Sequence, residues 1–207
     1  MNNPPPQDMH VLVVLDHPRR DSFCAAVADR FILGAQAAGH TTELADLHSE
    51  NFNPLWTAED DRAVGPEYLP SDILREQKRI AGADAICLVF PLFWWGMPSM
   101  MKGWIDRVWS WGWAYDRLDD PNASLQRPRS GLLLVPAGAK SDEMEQKGYR
   151  RALETSWMEG TFGYFGFSPR RLEILNGSTG SKPRRLALLQ RAYDLGEALP
   201  KPSTNGN

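Results

Sequence analysis

The chain alternates short apolar runs with longer stretches in which apolar residues recur every three or four positions. The runs are Met9 to Leu15, Thr41 to Leu47, Ala85 to Phe90, Gly131 to Pro136 and Arg171 to Leu175. All have strand length. The first, third and fourth are apolar almost throughout, the pattern of strands buried on both faces. The second, T-T-E-L-A-D-L, is less apolar and belongs nearer an edge. Between the runs the period becomes helical. Asp21 or Ser22 caps a helix whose inward face is Phe23, Val27, Phe31 and Gly34, and Gly39 ends it. A short helix starts near Thr57. Ser71 to Ala81 is a helix with a serine cap and apolar residues at Ile73, Leu74 and Ile80. Pro98 suits a first helical position. From Ser99 onward Met101, Trp104, Ile105, Val108 and Trp111 or Gly112 share one face. Tyr149 to Tyr164 and Pro183 to Leu199 are the last helices, the second with Leu186, Leu189, Tyr193 and Leu195 or Leu199 inward. Arg117 to Arg129 and Ala137 to Gly148 read as loops. Five strands alternating with helices imply right-handed crossovers and a parallel sheet of order 2-1-3-4-5.

The chain is 207 residues long, enough for one domain with a large core and short for two. The expected domain is 9–199, with 1–8 and 200–207 as flexible termini. A net charge of −3 gives no reason to expect nucleic acid or an anionic membrane as partner. No apolar run reaches the roughly 18 residues of a membrane span, and M-N-N-P-P-P-Q-D is not a signal peptide. Two cysteines, Cys24 and Cys87, are too few for a disulfide framework, which fits the cytoplasm. The four histidines, His10, His17, His40 and His48, show no ligand spacing, so no metal site is expected.

Chemistry concentrates between Asp84 and Asp116, which hold six of the eight tryptophans: Trp94, Trp95, Trp104, Trp109, Trp111 and Trp113. Pro91 stops the strand and Pro98 starts the helix, so Leu92 to Gly96 is a loop. It lies at the carboxyl end of a strand, where ligands bind in open α/β sheets. Trp94 and Trp95 are adjacent and precede the helix, so at least one lines a pocket or an interface. An aromatic loop there suits a flat, conjugated ligand. The loop after the first strand, H-P-R-R-D-S-F-C, opens a helix whose amides and dipole suit a phosphate, with His17, Arg19, Arg20 and Ser22 as further donors. A lone histidine in a loop is more often a hydrogen-bonded structural residue, and from this loop alone His17 is open to that reading. No glycine-rich dinucleotide fingerprint, Walker sequence or G-x-S-x-G elbow occurs.

The segment F-P-L-F-W-W-G-M-P-S-M-M-K-G-W-I-D-R-V-W-S-W-G-W-A-Y resembles the NAD(P)H:quinone oxidoreductase family, flavodoxin-like enzymes that include DT-diaphorase and short bacterial relatives. D-I-L-R-E-Q-K-R-I-A-G-A-D, D-L-H-S-E-N-F-N-P, the first loop and G-T-F-G-Y-F-G-F extend the match over most of residues 10 to 176. The resemblance implies a flavodoxin-like three-layer sandwich and a flavin held against it. By motif position His17, Ser22, Phe23 and Cys24 take its phosphate side. Pro91, Leu92, Phe93 and Trp94 run along the isoalloxazine, and Val135, Pro136, Ala137 and Gly138 close the other side. Trp95 and Tyr115 line the substrate pocket, Tyr115 from the neighbouring subunit of a homodimer.

The expected activity is transfer of hydride from NAD(P)H to quinones or related planar acceptors by a ping-pong mechanism. FAD is the expected flavin, with FMN as the alternative. Three positions depart from the family pattern. Cys24 stands for an asparagine, V-P-A-G stands for Thr-Thr-Gly-Gly, and Tyr149 falls at or beside a histidine that stabilises charge on the reduced flavin. Tyr149 and Arg150 are the nearest candidates for that role, and Tyr149 is taken as the candidate catalytic residue. The altered loop leaves open a flavin-binding regulatory subunit of a transporter, and a one-electron carrier is a third reading.

Overall fold

A computed structural model describes residues 8–62, 69–115 and 127–203. Five strands, β1 (His10–Leu15), β2 (Thr41–Asp46), β3 (Ala85–Val89), β4 (Arg129–Ala137) and β5 (Phe167–Asn176), form one parallel sheet in the order β2-β1-β3-β4-β5. This is the order the strand pattern predicts. Alternate residues of the central strands feed two separate cores. Leu12, Val14, Ile86, Leu88, Leu133 and Val135 face one side, and Val11, Val13, Cys87, Val89, Leu132 and Leu134 the other. A strand buried on both faces must be apolar at every position, which is why these runs carry no polar alternation.

Helices α1 (Phe23–Ala37) and α7 (Lys182–Glu197) cover the second face. They cross at two glycines. A Cβ on Gly34 would sit 2.0 Å from the Tyr193 carbonyl oxygen, and one on Gly196 2.1 Å from that of Phe31. The first face carries α3 (Ser71–Gly82), α4 (Ser99–Val108) and a helical segment from Tyr149 to Gly163. A short helix, α2 (Ala58–Arg62), begins after Thr57 as expected, with Thr57 and Asp60 capping each other. Arg107, buried in α4, ties this region down by donating to Asp60, Asp72 and the Asn53 carbonyl. Met1 to Gln7 and residues 116–126 lie outside the described residues, and with them most of the predicted loop 117–129. Of the predicted loose tail, Ser203 donates its amide to the Ser168 carbonyl at 2.9 Å.

Five expectations need correction. Ser71 is the first residue of α3 and not its cap; Pro70 holds the cap position, with no side-chain hydrogen bond to the helix start. The α4 helix stops at Val108 instead of running to Trp111 or Gly112. Trp109 leaves the helical conformation and turns into the core against Phe162, Phe165 and Phe167, while Trp111 is 36% exposed. Ala137 to Gly148 is not all loop, because α5 (Ser141–Gln146) occupies it, short and acidic in its first turn. The predicted helix from Tyr149 is α6 (Tyr149–Leu153) followed by a π-helix, Glu154–Gly163. There the Thr161 hydroxyl donates to the Ser156 carbonyl, five residues back, as the wider turn permits. In α7, Leu186 is 55% exposed and the inward face is Leu188, Ala192 and Leu195. The sequence places leucines at both 186 and 188, and the close contact of α7 with α1 through Gly34 and Gly196 selects the second.

Candidate functional site

The carboxyl ends of β1, β3 and β4 bring three loops together. After β3 the chain makes a two-residue turn. Phe93 and Gly96 exchange both amide–carbonyl bonds, at 3.2 and 2.8 Å, and Trp94 and Trp95 between them have φ of 48° and 60°. This is a left-handed hairpin turn, which ordinarily takes Asn-Gly. Two tryptophans in it are a genuine backbone outlier. Trp94 projects outward, 97% exposed. Trp95 folds back and stacks on Tyr149, 3.8 Å between ring centroids and 18° between planes. Leu92 donates its amide to the Pro136 carbonyl at 2.9 Å, which fixes the turn against the end of β4.

A cleft of about 170 Å³ lies between these two ends, lined by Leu92, Trp94, Trp95, Ala137, Gly138 and Ala139. Beside it runs a groove of about 600 Å³ that shares the Trp95 wall and reaches Tyr115, Trp157, Thr161 and Tyr164. Of the backbone around the cleft, the amides of Leu92 and Phe93 are engaged within the protein and Pro91 has none. Those of Trp94 and Trp95 have no partner among the described residues. Val135 and Pro136 are buried and set the position of the strand end, while Ala137 and Gly138 line the cleft itself. Tyr115 borders the groove and packs edge-on against Tyr164 and Phe165 of its own chain.

The third loop joins β1 to α1. The Ser22 side chain accepts the Ala25 amide at 3.1 Å, so it is a helix cap whose hydroxyl proton is still available to donate. His17 Nδ1 accepts the Arg19 amide at 3.1 Å, which leaves Nε2 as the protonated, donating nitrogen. The amides of Phe23 and Cys24 at the helix start have no partner among the described residues. Phe23 lies under the Arg185 guanidinium, 4.9 Å from its ring centre. Cys24 is buried. Burial, with the negative charge of Asp16, pushes its thiol up to about 12, so Cys24 offers a ligand its amide and not a thiolate.

A family model described as flavodoxin-like fold matches residues 9–198. An uncharacterised NAD(P)H oxidoreductase of Escherichia coli is 36% identical over 82% of this chain and 84% of its own length. Another from Haemophilus influenzae is 31% identical over 80% and 83%. The structure of an NAD(P)H:quinone oxidoreductase from Methanothermobacter marburgensis superposes with a TM-score of 0.85 at 31% identity, covering 94% of this chain and 100% of that one. The chain belongs to the flavodoxin-like NAD(P)H:quinone oxidoreductase family.

Within that family fold, the loops that carry His17 to Cys24, Pro91 to Trp95, and Ala137 and Gly138 meet at one sheet edge, while Tyr115 follows α4 and borders the groove. Two residues at this edge were missed by sequence reasoning. Asp16 follows five apolar residues and is buried, and His48 Nε2 meets its carboxylate at 2.9 Å. The signal for Asp16 was a charged residue ending an all-apolar strand. His48 carried none, because its partner lies on another strand. Among the described residues no cluster of His, Cys, Asp or Glu could hold a metal ion, and no helix is long and apolar enough to cross a membrane.

Proposed function

We propose that this chain is a flavin-dependent NAD(P)H oxidoreductase that passes hydride to quinones or related planar aromatic acceptors. The observation that carries the reading is the cleft between the Trp94–Trp95 turn and Ala137–Ala139, with amides on one wall and at the start of α1 that have no partner among the described residues. Flat walls, donors in the turn and a helix start for an anion are what a flavin nucleotide needs. His17 Nε2, the Ser22 hydroxyl and the amides of Phe23 and Cys24 hold the phosphate. Leu92, Phe93 and Trp94 supply apolar surface along the ring system, and the amides of Trp94 and Trp95 donate to its polar edge. When bound, the flavin supplies the two-electron hydride chemistry that no side chain here provides.

Tyr149 stacks on Trp95, the residue that lines both cleft and groove, and its hydroxyl is the group assigned to stabilise negative charge on the reduced flavin. Trp95 and Tyr115 border the groove that receives the nicotinamide and the acceptor in turn, and one shared slot makes the kinetics ping-pong. The exposed Phe93 suits a homodimer that covers this edge. FAD is favoured over FMN by the D-I-L-R-E-Q-K and N-F-N-P matches, and the cytoplasm is the compartment. The test is mass spectrometry of the chromophore released from purified protein, followed by steady-state kinetics with NAD(P)H and a quinone. Parallel double-reciprocal lines are expected. Protein that takes up neither FAD nor FMN overturns the reading, and intersecting lines overturn the shared slot.

A further inference from the structure

Asp16 continues β1 by one residue, its amide donating to the Val89 carbonyl at 2.9 Å. Its side chain is 3% exposed. A carboxylate so buried is tolerated only with hydrogen-bond partners on its oxygens. Here the partners come from two other segments. One oxygen accepts the Met101 amide at 2.8 Å, in the first turn of α4, where the helix dipole also favours a negative charge. The other meets His48 Nε2 at 2.9 Å, and the imidazole, 28% exposed, lies just beyond β2. The Asp16 charge is also felt at Cys24 in α1.

Both flanks of this carboxylate lead into the candidate site. Asp16 directly precedes His17 of the phosphate loop. Met101 is joined to the Trp94–Trp95 turn by Met97 to Met100, a short connection stiffened by Pro98, which ends in extended backbone before the helix. The turn is thus held from two sides, by the Leu92 bond to the Pro136 carbonyl and by this connection to α4, whose first turn the Asp16 carboxylate holds.

We propose that Asp16, held in place by His48, is a positioning residue for the flavin: it anchors the start of α4 and thereby fixes the aromatic turn that lines the cleft. This rests on the flavin reading of that cleft. Asp16 touches no ligand; it acts through the helix.

The test compares Asp16→Ala, His48→Ala and the conservative Asp16→Asn. An asparagine can accept the Met101 amide and donate to His48 in its other tautomer, so it restores the geometry without the charge. Asp16→Ala is expected to raise the flavin Kd about tenfold, the order of one lost charge-assisted hydrogen bond. It also shifts the midpoint potential and visible circular dichroism of the flavin that still binds. His48→Ala does the same to a smaller extent, and Asp16→Asn returns both readouts toward wild type. On the flavin-free chain, amide exchange from Trp94 to Met101 is faster in both alanine variants, with exchange in β1 and β3 unchanged. Lower melting temperature with wild-type Kd, potential and exchange makes Asp16 merely structural and overturns the proposal. If Asp16→Ala does not fold, His48→Ala, at a partly exposed position, decides by the same readouts. If the wild-type chain takes up no flavin, the cofactor reading fails by itself and the exchange comparison still decides whether Asp16 fixes the turn.

Discussion

The rings of Trp95 and Tyr149 lie face to face, 3.8 Å apart at their centroids, and so join the turn after β3 to the first residue of α6. Such a pair contributes about 0.5–1.5 kcal/mol beyond the area it buries. The two substitutions at Tyr149 separate the ring from the hydroxyl. Tyr149→Phe keeps the stack, so melting temperature and flavin retention stay at wild type while kcat falls about tenfold, the order of one hydrogen bond to a developing charge. Tyr149→Ala lowers all three. Wild-type turnover in Tyr149→Phe would remove the hydroxyl from the chemistry and leave Tyr149 as a wall.

Trp94 sets stability against function. Its φ of 48° costs about 1–2 kcal/mol for a residue with a Cβ, and its side chain, 97% exposed, returns no burial. Trp94→Gly should therefore raise the melting temperature and at the same time weaken flavin retention. The measurements are thermal unfolding of the flavin-free protein and a flavin titration. A variant that binds flavin as well as wild type would show that Trp94 lines nothing a ligand uses.

Trp104 belongs to the core, unlike Trp94. It is fully buried, and its indole N–H donates at 3.1 Å to Glu76, which is itself fully buried and also paired with Arg75 and Arg79. Trp104→Ala should cost about 3–5 kcal/mol from the lost side chain alone, read as a lower urea midpoint. Trp104→Phe should recover much of the packing and still orphan one Glu76 oxygen. The folded fraction of either variant keeps its flavin affinity. Equal flavin loss in the Trp94 and Trp104 variants, without unfolding, would contradict the division of this stretch into loop and core.

The strand order was legible because the β1, β3 and β4 runs are apolar almost throughout, as strands of a sheet covered on both faces are. The two-sided core in turn places the loops after β1, β3 and β4 at one edge. Features that depend on partners distant in sequence were not legible. Trp109 has no periodic neighbour that announces its turn into the core, and its contacts with Phe162, Phe165 and Phe167 come from the far end of the chain. Leu186 and Leu188 are indistinguishable until the crossing of α1 and α7 at Gly34 and Gly196 chooses between them. Asp16 and His48 look ordinary alone. The double-tryptophan turn was hidden because such turns are signalled by asparagine and glycine, and here strain replaces propensity.

Glu173 gives a pH dependence with a definite sign. Burial pushes its carboxyl up, but the hydrogen bond from Arg191 and the charges of Arg191 and Arg171 outweigh this and hold it below the ordinary value. A carboxylate with a depressed folded-state pKa stabilises the protein above its unfolded value, about 4.3 for glutamate, and that stability is lost as pH falls through the lower folded value. Glu173→Gln should thus reduce the urea midpoint at pH 7, and the gap to wild type should close below about pH 4. A gap that stays constant with pH would mean that packing, and not charge, is what the substitution removes.

The two thiols report on the phosphate loop. Cys24 and Cys87 are both buried, and burial pushes both up, with Asp16 adding to the effect at Cys24. With Cys24 near 12, about one thiol in ten thousand is ionised at pH 8, and the thiolate is the reactive form. Native protein should therefore resist a disulfide reagent at pH 8, and both thiols should react at once in denaturant. The slow native reaction of each thiol measures how often its surroundings open. Cys24 lies in the first turn of α1, whose amides are proposed to hold the flavin phosphate, whereas Cys87 lies in the middle of β3. Added flavin should slow labelling of Cys24 strongly. Labelling of Cys87 should slow only as far as global stability rises. Equal slowing of the two thiols would mean that the ligand stabilises the fold from elsewhere, and the start of α1 would no longer be the phosphate site.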